Sequence, residues 1–71
     1  MKLALEQVEV LAVEQKQEPS EDELRAHRAA AEVDYRFAKH VAEGSLVFTA
    51  QLVTEVSPTY WRVETFVGVP A

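Results

Sequence analysis

Two histidines, three serines and one tryptophan are the side chains on which chemistry could rest in this sequence. His27 follows Glu23 by four residues, a spacing that puts both on one helix face. Two donors fall short of a metal's ligand set, and an exposed polar pair accounts for the same spacing. Ser20 precedes Glu21-Asp22-Glu23 and is better suited to cap a helix than to act as a nucleophile. Ser45 and Ser57 are turn residues at strand ends, and no serine stands in a nucleophile-elbow sequence. His40 fits a helix end, where the dipole favours a cation. Gly44 and Gly68 are the only glycines, so there is no glycine-rich phosphate loop. Trp61 could stack a flavin or a base. Its row is otherwise aliphatic, which favours a core anchor. The expectation is a non-enzyme with no cofactor and no metal, whose chemistry is binding.

Composition narrows the class further. The 71 residues make a single small domain spanning 1–71, with net charge −5 from 12 acids and 7 bases. A chain of this size buries only about 60% of its unfolded surface. With no cysteine there is neither a disulfide nor a Cys-based metal site, and oligomerisation or a partner is the remaining route to stability. Cys-free composition fits a cytoplasmic protein. Met1-Lys2-Leu3-Ala4-Leu5 runs into Glu6 too soon for a signal peptide, and no apolar run has the length of a membrane span. The acidic balance argues against binding a nucleic-acid backbone. The acids are interspersed with bases and apolar residues, so they do not form a DNA-mimicking stripe.

The elements that must position any site follow from periodicity. Leu3 to Val13 is Val- and Leu-rich and reads as a strand. Its apolar parity switches from Leu3 and Leu5 to Val8 and Val10, then back at Leu11 and Val13. A bulge near Gln7 explains this, as does a strand buried on both faces. Glu14 to Pro19 reads as a loop. Ser20-Glu21-Asp22-Glu23 is a capping box with three acids in the first helical turn. Beyond it two readings stand. Ala26, Ala30, Val33, Phe37 and Val41 form a stripe at helical spacing, and Gly44 suits the residue past a helix end, giving one helix from Glu21 to Glu43. Val33, Tyr35, Phe37 and Val41 also fall on alternate positions, giving a helix that ends near Glu32 and then a strand.

Ser45 to Val69 reads as a β-hairpin around Ser57-Pro58-Thr59-Tyr60. Pairing Val56 with Trp61 puts Phe48, Ala50, Leu52, Thr54 and Val56 on one face with Trp61, Val63, Thr65, Val67 and Val69. It also sets Glu55 against Arg62. A slip of one residue would bring Gln51 and Glu55 onto the Trp61 face. Gly68 within the strand suggests a bulge or a close backbone approach. On the other face this register leaves Val47, Val53, Tyr60 and Phe66, an apolar patch suited to a protein partner or to another copy of the chain. The fold class is therefore α+β: a small antiparallel sheet of three to four strands, one helix beginning near Ser20 and a C-terminal hairpin over 45–69. The helix would cover the Trp61 and Phe48 face.

The run Val33-Asp34-Tyr35-Arg36-Phe37, then Leu46 to Val56, then Ser57-Pro58-Thr59-Tyr60-Trp61-Arg62-Val63-Glu64, closing on Gly68-Val69, resembles the SecB family of protein-export chaperones. Leu3-Ala4-Leu5 to Val13 looks like that family's first strand. The sequence departs from the family pattern at Pro70, where members carry Phe, and it stops at Ala71, where members continue into C-terminal helices, as a truncated or minimal member would. The resemblance implies a strand over Val33 to Val41, a four-stranded antiparallel sheet, and a homo-oligomer holding unfolded apolar segments without ATP. Two other classes also fit these features. One is a small phage-type inhibitor or adaptor docking on one host protein. The other is a β-α-β-β module that assembles through its strands, similar in element order and length to the flavin-storing dodecins.

Overall fold

The computed structural model describes residues 5–42, 44–45 and 47–70. Leu3 and Ala4 of the expected first strand, Glu43, Leu46 and Ala71 lie outside the described residues. Strand β1 (Leu5–Gln15) is followed by helix α1 (Glu21–Lys39), strand β2 (Phe48–Ser57) and strand β3 (Tyr60–Pro70). The three strands form one antiparallel sheet in the order β1-β3-β2, with α1 against one face. This is an α+β fold closing on a C-terminal hairpin.

Local chemistry accounts for both ends of α1. Ser20 Oγ accepts from the Glu23 backbone N–H at 3.2 Å, and the Ser20 N–H donates to Glu23 Oε1 at 3.1 Å. The capping box is therefore complete, and the acids at 21–23 lie where the helix dipole favours them. At the other end His40 adopts the left-handed conformation (φ 55°) and donates its backbone N–H to the Arg36 carbonyl. The helix thus runs through Val33 and Phe37 and stops at Lys39, four residues short of the expected end at Glu43. Residues 33–39 are not a strand, and the sheet has three strands among the described residues.

The parity switch in β1 is a bulge. The ladder to β3 shifts between Glu6 and Glu9, and Gln7 takes φ 50° there. The strand also continues to Gln15, two residues into the segment read as loop.

The hairpin register differs by one residue from the pairing of Val56 with Trp61. Ser57 pairs with Tyr60 across Pro58-Thr59, but Trp61 then pairs with Glu55, and Val56 is the extra residue of a bulge. Pro58 holds φ near −65°. It therefore cannot enter the positive-φ turns whose twist matches two paired strands, and a bulge supplies the missing twist. From there Val53 pairs with Val63, Gln51 with Thr65 and Thr49 with Val67. The Trp61 row shares its face with Gln51 and Val53, and Phe48 lies on the opposite face. Gly68 pairs directly with Phe48 of β2, and on its other side it is the single residue opposite Gln7 and Val8, so the β1 bulge falls at Gly68 as its place within the strand suggests. Arg62 pairs with Thr54 and forms its ion pair with Glu14 of β1, not with Glu55.

Gln51 explains why this register is tolerated. Its Nε2 donates to the Leu24 carbonyl at 2.7 Å and to Thr65 Oγ1 at 3.3 Å. A polar side chain on the helix-facing side is thereby satisfied, together with the fully buried Thr65. The core is small: Ala31 and Tyr35 of α1 pack on Val67, with Leu11, Val41, Val47 and Val69 around them, and Val63 is buried nearby. Trp61 is half-buried at the rim, between Gln15 and Glu55.

Candidate functional site

Two apolar surfaces remain uncovered, one on each side of the molecule. The first is the sheet face turned away from α1. Rows across β1, β3 and β2 place Val10, Phe66 and Ala50 side by side, then Ala12, Glu64 and Leu52, then Glu14, Arg62 and Thr54. Phe48 lies beyond the first row, opposite Gly68. Val10 and Leu52 are 49% and 52% exposed, and the two phenylalanines are half-buried among their strand neighbours.

This face has a polar end. The Tyr60 hydroxyl donates to Glu14 Oε2 at 2.5 Å, and Arg62 Nε donates to Glu14 Oε1 at 3.2 Å. The hydrogen bond from Tyr60, then that from Arg62, holds the Glu14 carboxyl below the usual glutamate range. The same bond to Glu14 raises the Tyr60 phenol above its ordinary value. The cluster joins β1 to β3 at the hairpin end and leaves the phenylalanine end apolar.

The second surface is the outer side of α1. The side turned to the sheet carries Leu24, His27, Ala31 and Tyr35, so the stripe Ala26, Ala30, Val33 and Phe37 points away from it. Phe37 is 84% exposed and lines a shallow groove with Val33, Arg36 and Val41. Lys39 Nζ reaches back to Glu9 Oε1 at 3.0 Å, tying the helix end to β1 just after its bulge. That bond raises the Lys39 amine above its usual value.

The four residues proposed for partner contact from the sequence do not share a face. Tyr60 and Phe66 lie on the open sheet face. Val47 packs against the core cluster, and Val53 pairs with Val63 on the helix side. The bulge at Val56 causes this division, because it inverts the parity of β2 relative to β3. The same shift brings Phe48 and Leu52 out beside Phe66, which the unbulged pairing had placed in the core. Val10 and Ala12 join them because β3 is the central strand; the hairpin alone does not reveal that.

Glu23 is occupied by its cap, and Gln15 Nε2 donates to its Oε2 at 3.2 Å. The bond from the Ser20 backbone N–H is the main cause of its lowered pKa. Among the described residues no group of three His, Asp or Glu side chains is placed to hold a metal ion. No described helix is long and apolar enough to cross a membrane. Comparison with protein-family models, curated proteins and solved structures finds no match to this chain.

Proposed function

We propose that this chain is a non-enzymatic, cytoplasmic protein-binding module of SecB-like character. In this reading it assembles as a homo-oligomer and holds unfolded apolar segments of other polypeptides without ATP. The observation that carries the reading is the open sheet face: Val10, Phe48, Leu52 and Phe66 are grouped at one end and bounded by the Tyr60–Glu14–Arg62 cluster at the other. An uncovered apolar area of this kind on a small domain marks an interface more often than bare surface. Around Val10, Ala50, Phe48 and Phe66 it is aliphatic or aromatic, Glu64 beside Leu52 being the charged group nearest to them, and so few hydrogen-bonding groups to select one partner suit a holder of varied segments.

Suppression of aggregation of several unrelated unfolded proteins, at near-stoichiometric ratios, tests this. The parent is expected to suppress all of them, and Phe66→Asp to lose most of that effect while keeping the fold. Failure on every client ends the reading. Capture of one folded host protein, with no effect on unfolded clients, would identify an adaptor or inhibitor instead.

The order β-α-β-β supports a second reading, an assembling flavin-binding module similar to the dodecins. That reading requires a yellow purified protein with quenched flavin fluorescence. A colourless protein that does not quench added flavin excludes it.

A further inference from the structure

The two outer strands of the sheet are built differently. β1 carries Glu6, Glu9 and Glu14, and its backbone is broken by the bulge at Gln7. Charge and a bulge are the devices that keep an edge from pairing with another chain. β2 has neither over most of its length. Its ladder is continuous from Phe48 to Glu55, it contains no Lys or Pro, and its single charged residue is Glu55.

β2 also exposes apolar side chains on both faces. Leu52 stands on the open face at 52% exposure, and its neighbour Val53 stands on the helix side at 37%. A partner lying on either face of the sheet would cover one of these and leave the other wet. A strand added alongside β2 flanks both, because the side chains of a paired strand alternate in step with its own.

We propose that β2 is the assembly edge of this protein: two copies join β2 to β2, antiparallel about a two-fold axis normal to the sheet and centred on Leu52, to make one six-stranded sheet. This deepens the homo-oligomeric reading above and rests on it. Self-pairing fits the charges of the strand. With Leu52 opposite Leu52 of the second copy, Gln51 meets Val53, Ala50 meets Thr54 and Glu55 meets Thr49, so no like charges oppose one another. The two-fold axis keeps both helices on one side and both open faces on the other. The added strand supplies hydrogen bonds to the outer edge and neighbours to Leu52 and Val53, in a domain whose own core is small.

The chain has no cysteine, so single-cysteine variants report without background. Five are compared in the full chain, each at a position that is exposed or half-buried: L52C, A50C and T54C on β2, A12C on β1 and A29C on the outer helix surface. Oxidative cross-linking is read on denaturing gels, with native mass measured by light scattering and no client present. The expected result is a dimeric mass or a multiple of it, with about tenfold more cross-linked dimer for L52C than for A12C or A29C. A50C and T54C should cross-link poorly alone, since four residues of offset separate the copies by about 13 Å, but well when mixed. A monomeric mass overturns the proposal, as do cross-links concentrated at A12C or A29C. Cross-linking needs no client and aggregation suppression needs no cysteine, so either reading can fail while the other is seen to stand.

Discussion

Tyr35 is the deepest aromatic side chain, only 2% exposed, and its hydroxyl has no hydrogen-bond partner among the described residues. Removing one partner of a bonded pair leaves the other unsatisfied, but removing an unpartnered group leaves nothing behind. Tyr35→Phe is therefore expected to leave stability unchanged or to raise it by up to about 1 kcal/mol, whereas Tyr35→Ala should cost about 3–5 kcal/mol by opening the core. Chemical denaturation distinguishes the two; a loss above about 1 kcal/mol for the Phe variant would mean that the hydroxyl is satisfied. The carboxylates give a pH prediction. Glu14 and Glu23 have folded pKa values below their unfolded ones. Each stabilises the fold fully above the unfolded value, and that part is lost as pH falls through the folded one. Lys39 and Tyr60 are raised, so their part is complete below their unfolded values and is lost as pH climbs through the folded ones. Thermal midpoints should hold between roughly pH 5 and 9 and fall on both sides. Glu14→Gln should flatten the acid limb, and an acid slope equal to the parent's would show that the Tyr60–Glu14–Arg62 cluster contributes no linkage.

Elements were legible where their causes are local. The Ser20 cap needs only residues 20–23, and it forms as the sequence indicates. The β1 bulge was visible as a switch of parity, because it displaces apolar residues of the same strand. The hairpin register was not legible. Its bulge satisfies a twist requirement set by Pro58, and the polar residue that the resulting register turns inward, Gln51, finds its acceptor 27 positions away on α1. Helix orientation was equally hidden. An alanine-rich helix offers two apolar stripes, and the one containing Phe37 was the more obvious, yet Leu24, Ala31 and Tyr35 face the sheet. The cause assigned to the Val56 bulge can be tested by deletion. Removing Val56 leaves Glu55 opposite Trp61 and Ser57 opposite Tyr60, so the ladder keeps its register but loses the twist correction. The deletion alone should destabilise the chain. Combined with P58N and T59G, which permit a positive-φ turn, it should recover most of the loss. Equal stability of the deletion with and without the turn replacement would show that Pro58 does not impose the bulge.

At the scale of the whole molecule, the surface left uncovered is large relative to the core. Among the described residues the buried hydrophobic ones are Ala31, Tyr35, Val63 and Val67, while Val10, Val33, Phe37, Leu52 and Val56 are all exposed. Seventy-one residues with no disulfide have little margin, since about 1.5 kcal/mol of conformational entropy opposes the ordering of each residue. Burial between copies is the direct way to add apolar area, and β2 is the edge least protected against it. Mass action then makes stability depend on concentration: if unfolding is coupled to dissociation, raising the protein concentration a hundredfold favours the assembled state by about 2.7 kcal/mol. Shared between two small chains, that should raise the thermal midpoint by roughly 5–10 °C. Calorimetric or circular-dichroism melts across that range measure it directly. L52C kept reduced should retain the shift, because a thiol can sit where Leu52 meets its counterpart. Leu52→Lys places two ammonium groups at the two-fold axis and should abolish it. A midpoint independent of concentration in the parent would mean that this small core sustains a stable monomer, leaving the exposed β2 edge and the Phe37 stripe for other chains.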